Sequence, residues 1–239
     1  WAYAARQDTA VIVDEHFYKK PQWFLDNIDR FDTYPRGGAT VFIGEYAAHP
    51  PTAGIGKPKD TAPNTFASAL AEAAFLTGVE RNADVVEMTS YAPLFNRAGT
   101  RNWDHNLIDF NPDTVTPTAN YEVQRLFAGH LGTRIVPVEV TTAADGVFAS
   151  STATDTVQFV KLVNTTDTEV ATSVHLPRST GAEAAATVLA ADADAANTLT
   201  FDGRPNVAII PVETAFPIQD RTLTLTLPPR SVIVLTIAL

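Results

Sequence analysis

Apolar residues follow two rhythms along this chain, and the rhythm changes near residue 133. Before that point, short β-branched or aromatic runs alternate with stretches of helical period. Ala10-Val11-Ile12-Val13 reads as a buried strand ending in the polar cluster Asp14 to Tyr18. Pro21 suits the first turn of a helix through Trp23, Phe24, Leu25, Ile28 and Phe31, stopped by Pro35 and Gly37-Gly38. Thr40-Val41-Phe42-Ile43 is a second buried strand. Gly44 then lets the backbone come close to another group, and Glu45 stands where the strand runs out. Asn64 is placed to cap a helix to about Arg81, whose apolar stripe includes Phe66, Leu70, Ala73 and Ala74. Asp84 to Tyr91 is a third strand, and Thr116-Pro117 opens a last helix through Tyr121, Val123, Leu126 and Phe127.

Strand and helix thus alternate three times, the order of a parallel sheet with crossover helices. Three such units make either a small open sheet or the last three-eighths of a (β/α)8 barrel. From Ile135 onward, strands recur near 134–140, 146–151, 156–163, 168–176, 184–190, 207–213, 222–228 and 232–238. Their regular spacing, with turns such as Phe201-Asp-Gly-Arg204, indicates an all-β sandwich. Leu225 to Ile237 reads as a hairpin with alternation on its second arm. The predicted division is an α/β part over 1–132 and an all-β part over 133–239.

Composition narrows the classes. The 239 residues are 45% apolar, enough for a sizeable core. No apolar run reaches the length of about 18 that a membrane-spanning helix needs. Net charge is -10 with Lys and Arg scattered, which argues against nucleic acid and membrane surfaces as partners. Cys is absent, which excludes disulfides, thiolate metal sites and Cys nucleophiles and suits a secreted or a cytoplasmic protein equally. The five His are dispersed without metal-ligand spacing, so neither cofactor nor metal is expected. Trp1 to Arg6 lacks the basic-then-apolar order of a signal peptide and reads as the last turn of a helix continuing from upstream.

Three polar clusters fall just past the ends of predicted parallel strands. They are His16 with Tyr18, Glu45 with Tyr46, and the loops holding Tyr91 and Trp103 to Asn106. The C-terminal ends of parallel strands lie on one side of a sheet, so the clusters should converge. A carboxylate there can attack an anomeric carbon, a Tyr hydroxyl or His N–H can hold its charge, and Trp103 offers a sugar ring an apolar face. Blander roles stay open: Glu45 in a surface loop, His16 bonded to a loop backbone, Trp103 in the core. Glu72 and Glu80, two turns apart on a helix, read as salt-bridge or cap partners, and Glu87 as a structural residue lining a barrel or facing a helix. The loop 47–63 is long enough to shape a site's rim.

The motifs Asp14-Glu-His-Phe-Tyr18, Val41-Phe-Ile-Gly-Glu-Tyr-Ala47, Ala71 to Asn82 and Ser90-Tyr-Ala-Pro-Leu-Phe95 occur in this order. Trp103 to Phe110 and Tyr121-x-x-Gln124-x-Leu-Phe127 continue the series. Together they resemble the α-L-arabinofuranosidases of glycoside hydrolase family 51, and Leu227 to Leu235 resembles the final hairpin of that family's C-terminal β-sandwich. The resemblance implies the last three units of a (β/α)8 barrel followed by a jelly-roll-like sandwich. It implies a retaining exo-glycosidase that releases terminal α-L-arabinofuranosyl groups from arabinose-containing hemicellulose or pectin. It also implies Glu45 as nucleophile, with His16 and Tyr18 contacting the nucleophile and the sugar. Trp103 is implied as a sugar contact, with His105 and Asn106 near the place where some members carry a sugar-binding Gln. The family's acid/base Glu follows an Asn, and no Asn-Glu pair occurs here. An N-terminal chain or segment that completes the barrel is therefore an expected partner, beside the polysaccharide. Two other readings stand: an endo-acting glucanase or xylanase, and a non-catalytic carbohydrate-binding fragment.

Overall fold

The computed structural model describes residues 1–7, 10–49, 64–100 and 105–239. The strands β1 (Ile12–Lys19), β2 (Thr40–Ala48) and β3 (Val86–Tyr91) form a parallel sheet with β2 in the middle. Three helices follow them in turn: α1 (Pro21–Leu25), α2 (Phe66–Arg81) and α3 (Ala119–Gly129). Between β3 and α3, the short strands β4 (Phe95–Arg97), β5 (Ile108–Phe110) and β6 (Val115–Pro117) make a small sheet of their own. Among the described residues no helix is long and apolar enough to cross a membrane.

Several local expectations need correction. The first strand is not a buried run ending at Val13. It extends to Lys19, Ile12 is half exposed, and among the described residues β1 pairs on one side only. The predicted first helix breaks after Leu25, although Phe24, Ile28 and Phe31 are all buried. The cause is Asn27: its side chain donates to the Trp23 carbonyl at 2.7 Å, the acceptor its backbone N–H would use in a helix. Asn64 does not cap α2. Thr65 holds the cap position without a side-chain bond, and the Phe66 and Ala67 N–H groups donate to the Ala195 and Ala193 carbonyls of the all-β part. Nor is α2 apolar on one stripe only. It is buried almost all round because α1, α3, β2 and the all-β part enclose it.

The all-β part is a sandwich. Its strands are β7 (Arg134–Ile135), β8 (Glu139–Thr142), β9 (Val147–Ala153), β10 (Val157–Asn164), β11 (Val170–His175), β12 (Glu183–Ala190), β13 (Val212–Gln219), β14 (Thr222–Leu227) and β15 (Ser231–Ala238). They run in the order β7-β9-β10-β15-β12-β13-β14-β11-β8. The single strand expected over 134–140 is split around Pro137, which has no N–H for a ladder, and its halves join opposite ends of this order. The strand expected at 207–213 lies instead at 212–219.

The expected hairpin over 225–237 is also absent. β14 pairs with β11 and β13, whereas β15 pairs with β10 and β12, so Pro228 to Arg230 turn a corner between layers. β15 is buried on both faces rather than alternating. Ile233, Leu235 and Ile237 fill the sandwich core, while Val232 and Val234 join the core around α2. That second contact makes the two parts of the chain one packed body.

Candidate active site

Alternation along β1 sends Asp14, His16 and Tyr18 to one face, and Glu15 and Phe17 to the other. Phe17 packs on Trp23 and Phe75, and Glu15 is bonded by Arg30 at 3.2 Å and by Tyr34 at 3.0 Å. The helix-side face is thus taken up by packing. The other face carries the chemistry, and these groups lie inside the strands rather than past their ends.

The register of β1 on β2 sets His16 beside Glu45. The Tyr18 O–H donates to Glu45 Oε2 at 2.6 Å. His16 Nδ1 lies 3.6 Å from the same oxygen, and His16 Nε2 lies 2.9 Å from Asp14 Oδ2. Asp14 Oδ1 in turn accepts the Gly44 N–H at 3.1 Å. Only glycine permits that approach, since a Cβ at residue 44 would sit 2.2 Å from the Asp14 oxygen. Among the described residues no hydrogen bond reaches Glu45 Oε1, and the Glu45 side chain is 43% exposed. Burial first, then the Glu45 carboxylate, holds the Tyr18 hydroxyl well above the usual phenol range. Tyr18 therefore remains a donor at neutral pH.

His105 and Asn106 are buried. Tyr91 donates to the His105 carbonyl at 3.3 Å, and Asn64 Nδ2 donates to the Tyr91 oxygen at 2.9 Å and to the Asn106 carbonyl at 3.0 Å. The rings of His105 and His49 are 5.2 Å apart. This cluster sits at the ends of β2 and β3, where Tyr46 and Tyr91 are cross-strand partners. Convergence is therefore partial. His16, Tyr18 and Glu45 come together, whereas the described contacts of His105 and Asn106 go to Asn64, Tyr91 and His49. Trp103 lies outside the described residues, as do residues 50–63 of the expected loop 47–63.

The α-L-arabinofuranosidase C-terminal domain model matches residues 44–231. The chain belongs to this family. It is 45% identical over 140 residues to the extracellular exo-α-L-arabinofuranosidase of Streptomyces chartreusis, covering 59% of this chain and 15% of that protein. It is 34% identical over 226 residues to the probable α-L-arabinofuranosidase A of Aspergillus oryzae, covering 93% of this chain and 33% of that protein. Among solved structures, the arabinose-bound α-L-arabinofuranosidase MgGH51 superimposes with a TM-score of 0.82 at 29% identity, over 95% of this chain and 37% of that one. The motif resemblance to glycoside hydrolase family 51 therefore holds over most of the chain. The chain spans about a third or less of the curated relatives it matches here.

In this arabinofuranosidase-family chain, two acidic groups near the site escaped sequence reading. Asp14 was legible in principle, because Asp-x-His-x-Tyr on a strand puts three polar groups on one face. Glu72 was misread as a salt-bridge or cap partner. It is fully buried, and its Oε1 accepts the Ala48 N–H at 2.7 Å. Asn120 and Gln124 of α3 lie near the carboxyl, and among the described residues Oε2 accepts no hydrogen bond. The clue was a lone Glu in the otherwise apolar run Ala69 to Leu76. Glu80 does form an ion pair, with Lys161, and Glu87 is exposed on β3.

Burial pushes the Glu72 carboxyl from 4.5 up to about 8, outweighing the donors around it. The folded chain keeps a proton that the unfolded chain has released. The stabilisation is therefore complete below about pH 4.5 and fades as pH rises to about 8, by at most about 1.4 kcal/mol per pH unit. Glu72→Gln should flatten the fall in Tm between about pH 5 and 8, measured by calorimetry. Equal slopes for variant and wild type would assign the effect to another group.

Proposed function

We propose that Glu45 is the nucleophile of a retaining exo-α-L-arabinofuranosidase of which this chain is the C-terminal part. The observation that carries the reading is the half-exposed Glu45 carboxylate with the Tyr18 O–H at 2.6 Å and His16 Nδ1 at 3.6 Å, both on Oε2. Holding one oxygen leaves Oε1 to attack C1 of the furanose and form a glycosyl ester. The departing alkoxide must be protonated, and water must later be activated for the ester to break. Both tasks need a second carboxyl about 5–5.5 Å away in a retaining enzyme. We assign that group to an N-terminal segment.

The same segment supplies the missing strands. β1 and β3 each leave one edge without a strand partner among the described residues, as the last three strands of an eight-stranded barrel would. In this reading residues 1–132 end the barrel domain and 133–239 form the sandwich domain. His105 and Asn106 border the sugar from the β3 side, and Trp103 is assigned to the sugar from the family motif alone. The substrates are arabinose-containing hemicellulose or pectin.

The test is the complete enzyme with an aryl α-L-arabinofuranoside and, in parallel, β-glucan and xylan. Turnover of the arabinofuranoside, with covalent label on Glu45 from an arabinofuranose-configured epoxide, is expected. Turnover of the glucan or xylan alone would favour the endo-acting reading, and no turnover at all a binding fragment.

Tyr18→Phe removes the O–H held against the attacking carboxylate. A hydrogen bond to a charged group is worth about 1.5–3 kcal/mol, so kcat should fall about 10- to 100-fold. A change of less than about twofold would mean that this contact does not aim Glu45.

A further inference from the structure

We propose that Glu72 is a positioning residue for the Glu45 carboxylate, acting through the C-terminal end of β2. The inference rests on the reading of Glu45 as nucleophile. His49 donates its N–H to the Lys19 carbonyl on β1, so the preceding residue, Ala48, points its N–H the other way, toward β3. By that point β3 has ended. Its last bond to β2 runs from the Ala92 N–H to the Tyr46 carbonyl at 3.3 Å. Glu72 Oε1 stands in for the absent strand and accepts the Ala48 N–H at 2.7 Å.

A second tie lies beside the first. Tyr46, the residue after Glu45, is fully buried and donates its O–H to Gln124 Oε1 at 2.7 Å. The amide of the same Gln124 faces the Glu72 carboxyl. The stretch following Glu45 is therefore anchored twice, at Ala48 to Glu72 of α2 and at Tyr46 to Gln124 of α3. Tyr18 holds the carboxylate oxygen from the opposite side. Without the Glu72 acceptor, the Ala48 N–H loses this partner and the strand end loses one of its ties. A misplacement of about 1 Å in a reacting group costs on the order of 100-fold in rate.

The experiment uses the complete enzyme carrying Glu72→Gln, Glu72→Met or Glu72→Asp. It reads kcat and KM on an aryl α-L-arabinofuranoside, and the rate at which an arabinofuranose-configured epoxide labels Glu45, followed by intact mass. Glu72→Gln keeps an acceptor oxygen in place and should stay within about threefold of wild type. Glu72→Met, similar in size but without an acceptor, should lose about 10- to 100-fold in both kcat and labelling, with KM changed less than about twofold. Wild-type kcat and labelling in Glu72→Met would overturn the inference. If that variant does not fold, Glu72→Asp decides: its shorter carboxyl withdraws from Ala48, so unchanged kcat overturns the inference and a loss of about tenfold supports it. A wild type labelled at a residue other than Glu45 overturns the functional reading and this inference with it.

Discussion

With Glu45 as the proposed nucleophile, Glu45→Gln in the complete enzyme should lower kcat on an aryl α-L-arabinofuranoside by about 10⁴-fold or more. The neutral amide oxygen does not attack C1, so the glycosyl ester never forms. Its shape and its acceptor for the Tyr18 O–H at 2.6 Å are retained, so Tm and KM should hardly move. The complementary variant is Glu45→Ala, which opens space beside the anomeric carbon. Added azide should enter that space, attack C1 from the face the carboxylate has vacated, and restore turnover with a β-configured arabinofuranosyl azide as product. Full activity in Glu45→Gln, or an azide product of the opposite configuration, would remove Glu45 from the nucleophile's role.

Lys161→Met should lower stability by about 3–5 kcal/mol, because it strands the buried Glu80 carboxylate. Lys161 is 0% exposed, and its ammonium lies 2.5 Å from Glu80 Oε1 and 2.5 Å from the His130 carbonyl. The rings of Phe127 and Phe159 flank it, and the Ser150 hydroxyl donates to the other Glu80 oxygen at 2.5 Å. Burial pulls the ammonium below its ordinary range, and Glu80 opposes that pull. At about 2–4 °C per kcal/mol for a chain of this size, Tm should drop by roughly 10 °C. Adding Glu80→Gln removes the stranded charge and should recover much of the loss, since an uncharged replacement of a buried pair is often near neutral. The pair joins α2 to β10 of the sandwich, so the loss should come as one cooperative transition. A Lys161→Met protein as stable as wild type would show that the pair contributes nothing.

Much of the candidate site was legible because strand chemistry is local. A β-branched run followed by Gly44 and Glu45, and His16 and Tyr18 two residues apart, needed no partner to be noticed. Their placement within strands, rather than beyond them, was not legible. It depends on where β1 and β2 stop pairing, and apolar runs mark burial rather than ladder length. Helix ends failed for a similar reason. α1 stops at Leu25 because the Asn27 side chain captures a carbonyl, and α2 begins against carbonyls of residues 193 and 195, more than a hundred positions away.

The sequence by itself determined that strand–helix alternation is followed by a run of strands, and it carried the family motifs. These rest on side-chain period and backbone preference over a few residues. Tertiary structure alone decided that β14 and β15 lie in different layers, that Asp14 meets Gly44, and that Glu72 is a buried carboxyl behind β2 rather than a surface ion-pair partner. Each of those depends on which distant segment supplies the neighbouring hydrogen-bond partner and excludes water, and no local pattern carries that information.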